Sequence, residues 1–149
     1  MRTHAYVQGS VNGARFLRLL ADETRLRILS LLSRTSDLCV CEFVAVLRLP
    51  QYRISRHLGQ LRRNGLLTSR REGPFVFYGL AESVRRHPVQ GAVLRAAPRL
   101  AARELVALDL KRMRRLMKLE NGQGVEADAA DGTRRLVRAQ PALRLLGRS

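Results

Sequence analysis

Cysteine is scarce in this chain, which limits what its cysteines can do. Only Cys39 and Cys41 occur among the 149 residues, and two thiols one residue apart are a poor disulfide framework. We therefore expect the protein in a reducing compartment. Long apolar runs are also missing, since no stretch approaches the roughly 20 residues of a membrane helix and the N-terminus lacks the apolar core of a secretory signal. The sequence predicts a cytoplasmic protein without a membrane partner.

Acidic residues are also few. The chain has 28 lysines and arginines against 12 aspartates and glutamates, a net charge of +16, and such an excess attracts nucleic acid or an anionic membrane surface. No carboxylate occurs between Glu42 and Glu72, whereas seven arginines lie between them. Nothing resembles a nucleophile–base pair, a paired-carboxylate site or a phosphate-binding glycine loop, so we do not expect an enzyme.

The stretch 38–67 predicts two helices joined by a tight turn. In the first helix, apolar side chains recur at the spacing of one buried face, at Val40, Phe43, Val44 and Leu47. Pro50 suits both the end of this helix and the first turn of the next. The second helix repeats the pattern at Ile54, Leu58 and Leu61. Asn64-Gly65 is a typical helix stop, so the stretch predicts a helix-turn-helix.

Six polar residues at the start of the second helix, largely off its predicted buried face, are candidate DNA contacts. They are Gln51, Tyr52, Arg53, Ser55, Arg56 and His57. In helix-turn-helix proteins these N-terminal positions meet base edges in the major groove. Arginine suits guanine, glutamine suits adenine, and serine suits phosphate or either base. A solvated basic face is the alternative, but the helix pattern favours binding of double-stranded DNA.

A β-hairpin is predicted directly after the helix-turn-helix. The helical period gives way to alternation after Gly65, residues 72–74 form a turn, and residues 75–78 are a β-rich return strand. Arg70 and Arg71 lie near the tip of this hairpin, where they can reach the DNA backbone or the minor groove. The predicted fold class is therefore mainly α with a small β-hairpin, a winged helix-turn-helix.

The segments around this motif predict assembly. Residues 16–20 mark a short helix that is apolar over most of its surface, and Asp22 caps the next helix. Pro88 and Pro98 limit residues 83–97 to a short helix. Residues 99–119 predict a long helix with an apolar stripe of Val106, Leu110, Met113 and Met117. We expect this stripe to pair with the first helix in a homodimer that reads an inverted-repeat operator; packing on its own domain is the alternative.

The ends of the chain are predicted to be less ordered than its centre. We expect residues 1–11 to be a flexible arm and residues 12–119 to be the winged-helix DNA-binding and dimerisation domain. Residues 120–149 are expected to be a basic, disordered tail, because they begin with a glycine-rich stretch of small and acidic residues.

Several runs of this sequence resemble the ArsR/SmtB metal-responsive repressors. They are LADETRLRIL at residues 20–29, LCVCE at residues 38–42, SRHL at residues 55–58, and REG at residues 71–73 followed by Tyr78. The likeness covers about residues 14–80 in continuous order. It implies a winged-helix homodimer that blocks a promoter and releases it when a metal or metalloid binds.

The Cys-Val-Cys run resembles the site of the arsenite- and antimonite-sensing branch, at the first turn of the helix before the DNA-reading helix. It implies that Cys39 and Cys41 contact As(III) or Sb(III), with Cd(II), Pb(II) or Zn(II) as alternative inducers and no permanently bound cofactor. Arsenite sensors of this type often carry a third cysteine where this chain has Val44. The third ligand would then be an outside thiol, a hydroxide or a poorer protein donor.

The chemistry of the two cysteines supports a soft ion independently of that resemblance, because thiolates are soft ligands. Residues i and i+2 lie about 200° apart around a regular helix, so we expect ion binding to distort this turn. Two alternatives remain open. The cysteines are buried apolar residues with a structural role, or they form a disulfide that acts as a redox switch.

Overall fold

The computed structural model describes residues 12–120. Its elements are α1 (Gly13–Leu20), α2 (Glu23–Leu32), β1 (Leu38–Cys39), α3 (Val40–Leu47), α4 (Gln51–Arg63), β2 (Leu67–Glu72), β3 (Phe75–Leu80), α5 (Glu82–Arg86), α6 (Pro88–Leu100) and α7 (Arg103–Glu120). The Asp22 carboxylate accepts a 2.9 Å hydrogen bond from the N–H of Arg25, so the predicted cap of α2 is confirmed. The predicted N-terminal arm and most of the predicted tail lie outside the described residues.

The helix-turn-helix is confirmed as α3 and α4. α3 ends at Leu47, because Arg48 adopts the left-handed conformation with φ of 54°. Pro50 is the residue immediately before α4. Gly65 ends the motif with φ of 80°, a conformation that favours glycine. The core that holds the two helices together consists of Phe43, Val46, Leu47, Ile54, Leu58 and Leu61, all of which are buried.

The sheet has one strand more than the sequence predicts. β2 and β3 form the expected antiparallel hairpin, and β1 pairs with the outer edge of β3, so the strand order is β1-β3-β2. In β1, Cys39 is the partner of Phe77. The prediction that Cys39 lies in the first helical turn is wrong, since its backbone is extended (φ −79°, ψ 162°) and α3 begins one residue later. A two-residue strand is too short to show an alternating pattern.

The segment after the hairpin is more helical than its prolines predict. α6 begins at Pro88 and continues through Pro98 to Leu100, so the prediction of a short helix over residues 83–97 is wrong. Pro88 occupies the first helical position, where a missing N–H costs nothing. Pro98 lies in the last turn of α6, where its ring removes a single hydrogen bond from the helix.

The predicted stripe of α7 faces its own domain. α7 packs on α2 and α3, and Val106 and Met113 are buried there. The expectation that this stripe is open for a second subunit is therefore wrong. A buried ion pair also joins α7 to α2: the Asp109 carboxylate accepts hydrogen bonds of 2.7 and 2.8 Å from Nε and Nη2 of Arg27.

The helices between residues 12 and 120 are short or rich in charge. None of them combines the length and the hydropathy that crossing a bilayer requires.

Candidate nucleic-acid interface and thiol site

The start of α4 presents an exposed polar surface. Of the six residues predicted there, five are exposed: Gln51, Tyr52, Arg53, Ser55 and Arg56. Tyr52 is 75% exposed, although it is a large aromatic side chain. Ile54 and Leu58 on the opposite side of α4 are fully buried, which fixes the direction in which the polar residues point. Amide, hydroxyl and guanidinium groups at this end of the helix can donate to bases and phosphates.

His57 is the exception, and its predicted place on the exposed face is wrong. The residue is only 5% exposed, because it lies three residues after Ile54 on the same side of the helix. Its Nδ1 is 4.0 Å from a carboxylate oxygen of Asp22. Burial lowers the pKa of His57 and outweighs the opposing effect of Asp22. The lowered pKa disfavours the cationic imidazole that a phosphate would attract, and the buried side chain is part of the packing of α4.

Arg25 holds α4 in place, a role that local periodicity does not reveal. Its Nη1 donates to Oε1 of Gln60 on α4 at 3.1 Å, and its Nε donates to the carbonyl of Leu19 at 2.6 Å. One guanidinium therefore joins α4 to the end of α1. Arg53 also lies near α2, since its Nη2 is 3.5 Å from Oγ1 of Thr24. The orientation of α4 thus depends on the first turn of α2.

The hairpin of β2 and β3 is the wing of the winged helix-turn-helix. Its two arginines, Arg70 and Arg71, differ in their surroundings. Arg71 is exposed and forms no ion pair with any residue between 12 and 120. Arg70 lies on the other face of β2 and already has partners. Its Nη2 is 2.6 Å from Oδ2 of Asp37, and its Nη1 contacts the Glu72 carboxylate. Arg71 is therefore available for a phosphate, whereas Arg70 is held by the protein itself.

Cys39 and Cys41 lie side by side at the beginning of α3. A disulfide joins them, and their Cα atoms are 5.4 Å apart. Cys39 is buried and Cys41 is half-buried. The sulfurs meet because Cys39 is extended and precedes the helix, while Cys41 is already within it. The expectation that the helix must distort before both sulfurs can reach one ion is therefore wrong, since its premise placed both residues in a regular turn.

The described part of the chain supplies two cysteine sulfurs, which are joined as a disulfide, and no complete metal site. Residues 12–120 contain no cluster of three or more histidine, cysteine, aspartate or glutamate side chains that could hold a metal ion. Val44, at the position of the missing third cysteine, is half-buried. Glu42 is buried nearby, and its Oε2 accepts a 2.9 Å hydrogen bond from the N–H of Cys39. This bond fixes the backbone of Cys39 at the start of α3.

The comparisons with known proteins agree on one family. Residues 22–69, from the cap of α2 into β2, match the family described as "Bacterial regulatory protein, arsR family". An arsenic resistance transcriptional regulator of Pseudomonas putida is 49% identical over 67 residues, which cover 45% of this chain and 52% of that protein. This chain therefore spans about half the length of that relative.

Two further comparisons extend the match. A homologue of the cadmium resistance regulatory protein CadC from Staphylococcus aureus is 31% identical over 87 residues, covering 58% of this chain and 72% of that protein. The crystal structure of the antimony-specific transcriptional repressor AntR superposes with a TM-score of 0.50 at 26% identity, covering 58% of this chain and 74% of that chain. All three relatives are transcriptional regulators and none is an enzyme.

Proposed function

Since the chain belongs to the arsR family of metal-responsive transcriptional repressors, we propose that it leaves its operator when a thiophilic ion binds Cys39 and Cys41. The observation that carries this proposal is the adjacency of the two sulfurs where β1 meets α3, one helix before the exposed polar end of α4. Thiolates in contact with each other can share one soft ion. Binding there acts on the first helix of the DNA-binding motif.

The proposed DNA surface consists of the exposed end of α4 and one arginine of the wing. Gln51, Tyr52, Arg53, Ser55 and Arg56 are proposed to meet base edges and phosphates in the major groove. Arg71 is proposed to contact the phosphate backbone. The net charge of +16 supports strong attraction to DNA. The buried His57 and the partnered Arg70 are not assigned to this surface.

Base reading and backbone attraction can be separated by mutation. Arg53→Ala or Arg56→Ala is expected to cost about 1–3 kcal/mol per contacted base and to relax sequence preference. Arg71→Ala should weaken all sequences alike and reduce the slope of log K against log salt by about one for each phosphate that the arginine no longer neutralises. The measurement is fluorescence anisotropy with operator and scrambled duplexes at several salt concentrations.

The control for these variants is Arg95→Ala, which removes an exposed arginine from α6. It should change neither the sequence preference nor the salt dependence of binding. If Arg71→Ala relaxed sequence preference while the α4 variants did not, the reading surface would be the wing instead of α4.

Arsenite or antimonite is the inducer that we propose first. The relatives named above are regulators of arsenic and cadmium resistance and an antimony-specific repressor. The common ions of arsenic, cadmium and antimony all favour soft ligands. Cd(II), Pb(II) and Zn(II) stay as alternatives. With two protein thiols in reach, an outside thiol such as glutathione is proposed as the third donor to trivalent arsenic.

The disulfide between Cys39 and Cys41 favours a second candidate function. Two thiols that lie in contact can be oxidised by hydrogen peroxide, which forms the S–S bond and two molecules of water. A disulfide sulfur has no thiolate to offer to a metal. Oxidation would then control DNA binding itself, or it would block ion binding. Operator affinity of the oxidised and reduced protein in the absence of any ion distinguishes a redox sensor from an ion sensor.

The proposed partner in assembly is a second copy of the chain. The buried stripe of α7 leaves Leu105 and Leu108 on another side of that helix, where they are 38% and 47% exposed, and Leu17 of α1 is 61% exposed. Exposed leucines three residues apart on one helix are typical of a surface that is covered in an oligomer. A homodimer could present two copies of α4 to an inverted-repeat operator.

The double variant Leu105→Glu, Leu108→Glu is expected to be monomeric at micromolar concentration and to bind the operator poorly. The fold should survive, because both side chains are partly exposed in the single chain. Sedimentation velocity gives the mass, and circular dichroism reports the fold. Arg114→Glu, at an exposed position on a different side of α7, serves as the control. A double variant that stays dimeric would place the interface elsewhere.

A further inference from the structure

Arg70 lies between the wing and the segment that leads into Cys39. Its Nε and Nη2 lie 3.2 and 2.6 Å from Oδ2 of Asp37, and its Nη1 contacts the carboxylate of Glu72. Its guanidinium carbon also lies 4.8 Å from the centre of the Phe77 ring, within range of a cation–π interaction. The half-buried Arg70 thus has two carboxylates and an aromatic ring for partners.

Together with Cys39, these partners form a closed cycle of contacts that includes the thiol site. Phe77 is the strand partner both of Arg70 on β2 and of Cys39 on β1. Asp37, which binds Arg70, lies two residues before Cys39 in the chain. In this cycle, strand pairing joins Cys39 to Phe77 and Phe77 to Arg70. A hydrogen bond joins Arg70 to Asp37, and the chain itself leads from Asp37 to Cys39.

The hairpin packs closely against the segment that precedes β1. An added Cβ on Gly79 of β3 would lie 2.6 Å from the carbonyl oxygen of Ser36, so β3 and the segment before β1 pack without room for a side chain between them. β1 itself has only two residues, too few to hold the segment by ladder hydrogen bonds alone. The Arg70–Asp37 contact is a side-chain link between this segment and the hairpin.

We propose that Arg70 is a positioning residue that couples the thiol site to the wing, an inference that rests on the proposed function. An ion that imposes its own geometry on the two sulfurs displaces the backbone of Cys39. Because β1 is tied to the hairpin by Phe77 and by the Arg70–Asp37 contact, the hairpin moves with it. Arg71, the neighbour of Arg70 on the opposite face of β2, then loses its place on the DNA backbone.

The test uses the reduced full-length chain, with operator affinity measured with and without arsenite. Arg70→Ala should bind the operator nearly as well as the wild type, but its affinity should fall by less than about fivefold on arsenite binding, the lower end of typical coupling. The exchanged pair Arg70→Asp, Asp37→Arg restores the link between these two positions but not the contacts with Glu72 and Phe77, so it should recover part of the wild-type response. Arg71→Ala should bind more weakly without arsenite and should also respond less, because the contact that the ion would remove is already missing. Arg95→Ala is the control and should keep both the wild-type affinity and the wild-type response.

Hydrogen exchange of the ion-free protein gives a second readout that does not depend on the inducer. Amides of β1 and of its partners on β3 should exchange faster in Arg70→Ala, while those of α4 stay as in the wild type. If none of arsenite, antimonite, cadmium and zinc releases the wild type, the proposed function is wrong, and hydrogen exchange still tests whether Arg70 links β1 to the hairpin. The inference is overturned if Arg70→Ala keeps the full arsenite response, if exchange in β1 is unchanged, or if Arg70→Ala loses operator affinity as Arg71→Ala does.

Discussion

Reduced protein with Cys39→Ser or Cys41→Ser is expected to stay on its operator at arsenite concentrations that release the wild type. An inducer acts only through its preference for the DNA-free state, and coupling of about 1–3 kcal/mol gives a response of about 5- to 150-fold. A serine hydroxyl fills nearly the same space as a thiol but does not bind a soft ion. Each variant should therefore lose the whole response while keeping its operator affinity.

Fluorescence anisotropy of a labelled operator, with arsenite titrated with and without glutathione, measures this response. Glutathione should strengthen the response of the wild type if an outside thiol completes the coordination. Ser36→Ala, which changes a hydroxyl just before β1 without touching a thiol, is the control and should respond as the wild type does. A serine variant that is released at wild-type arsenite concentrations would show that the sensor lies elsewhere in the chain.

Asp109→Ala is expected to produce the largest loss of stability of any single change considered. Asp109 is 1% exposed and Arg27 is 7% exposed, and the hydrogen bond from Arg27 to Asp109 raises the pKa of that arginine. An arginine guanidinium is not deprotonated in proteins, so removal of Asp109 leaves an uncompensated buried charge. Breaking a buried pair by removing one partner typically costs about 3–5 kcal/mol, a large part of the roughly 5–15 kcal/mol that stabilises a domain.

This pair also supports the end of α3. Nη2 of Arg27 donates to the carbonyl of Leu47 at 2.9 Å, and Nη1 of Arg112 donates to the carbonyl of Val46 at 3.2 Å. These carbonyls belong to the last turn of α3, where no intrahelical partner remains for them. Removal of the Asp109 carboxylate should therefore loosen the turn before α4 and lower operator affinity as well as stability.

Urea unfolding followed by circular dichroism gives the change in free energy. Glu104→Ala is the matched control, since it removes an exposed carboxylate from the same helix and should stay within about 0.5 kcal/mol of the wild type. The double variant Arg27→Leu, Asp109→Leu should be more stable than Asp109→Ala, because no uncompensated buried charge remains. A destabilisation of less than about 1 kcal/mol for Asp109→Ala would contradict the assigned role of the pair.

Elements with a strong local pattern are predictable from the sequence. α4 has an apolar side chain at Ile54, Leu58 and Leu61, and the hairpin has alternation followed by a glycine-proline turn, so both are predicted correctly. The two-residue β1 has too few positions for any period. The sequence predicts too short an α6, because Pro98 breaks a helix in its middle but not in its last turn.

The sites that depend on distant partners are not predictable from local patterns. Arg70 and Arg71 are neighbours of the same type, and the contact of Arg70 with Asp37 joins residues that are 33 positions apart in the chain. Asp109 lies 82 residues from Arg27, so nothing near it in the sequence signals that the α7 stripe is already covered. The burial of His57 is predictable in principle, because its spacing from Ile54 puts it on the buried face.

The central claim is that an ion held by Cys39 and Cys41 lowers the affinity of the protein for its operator. The most direct measurement is the dissociation constant of the reduced wild type for a duplex from its own promoter, without ion and with arsenite, antimonite, cadmium or zinc. We expect arsenite or antimonite to raise this constant by about 5- to 150-fold, and excess dithiothreitol, which competes for the ion, to restore binding. Specific operator binding that none of these ions changes would contradict the claim.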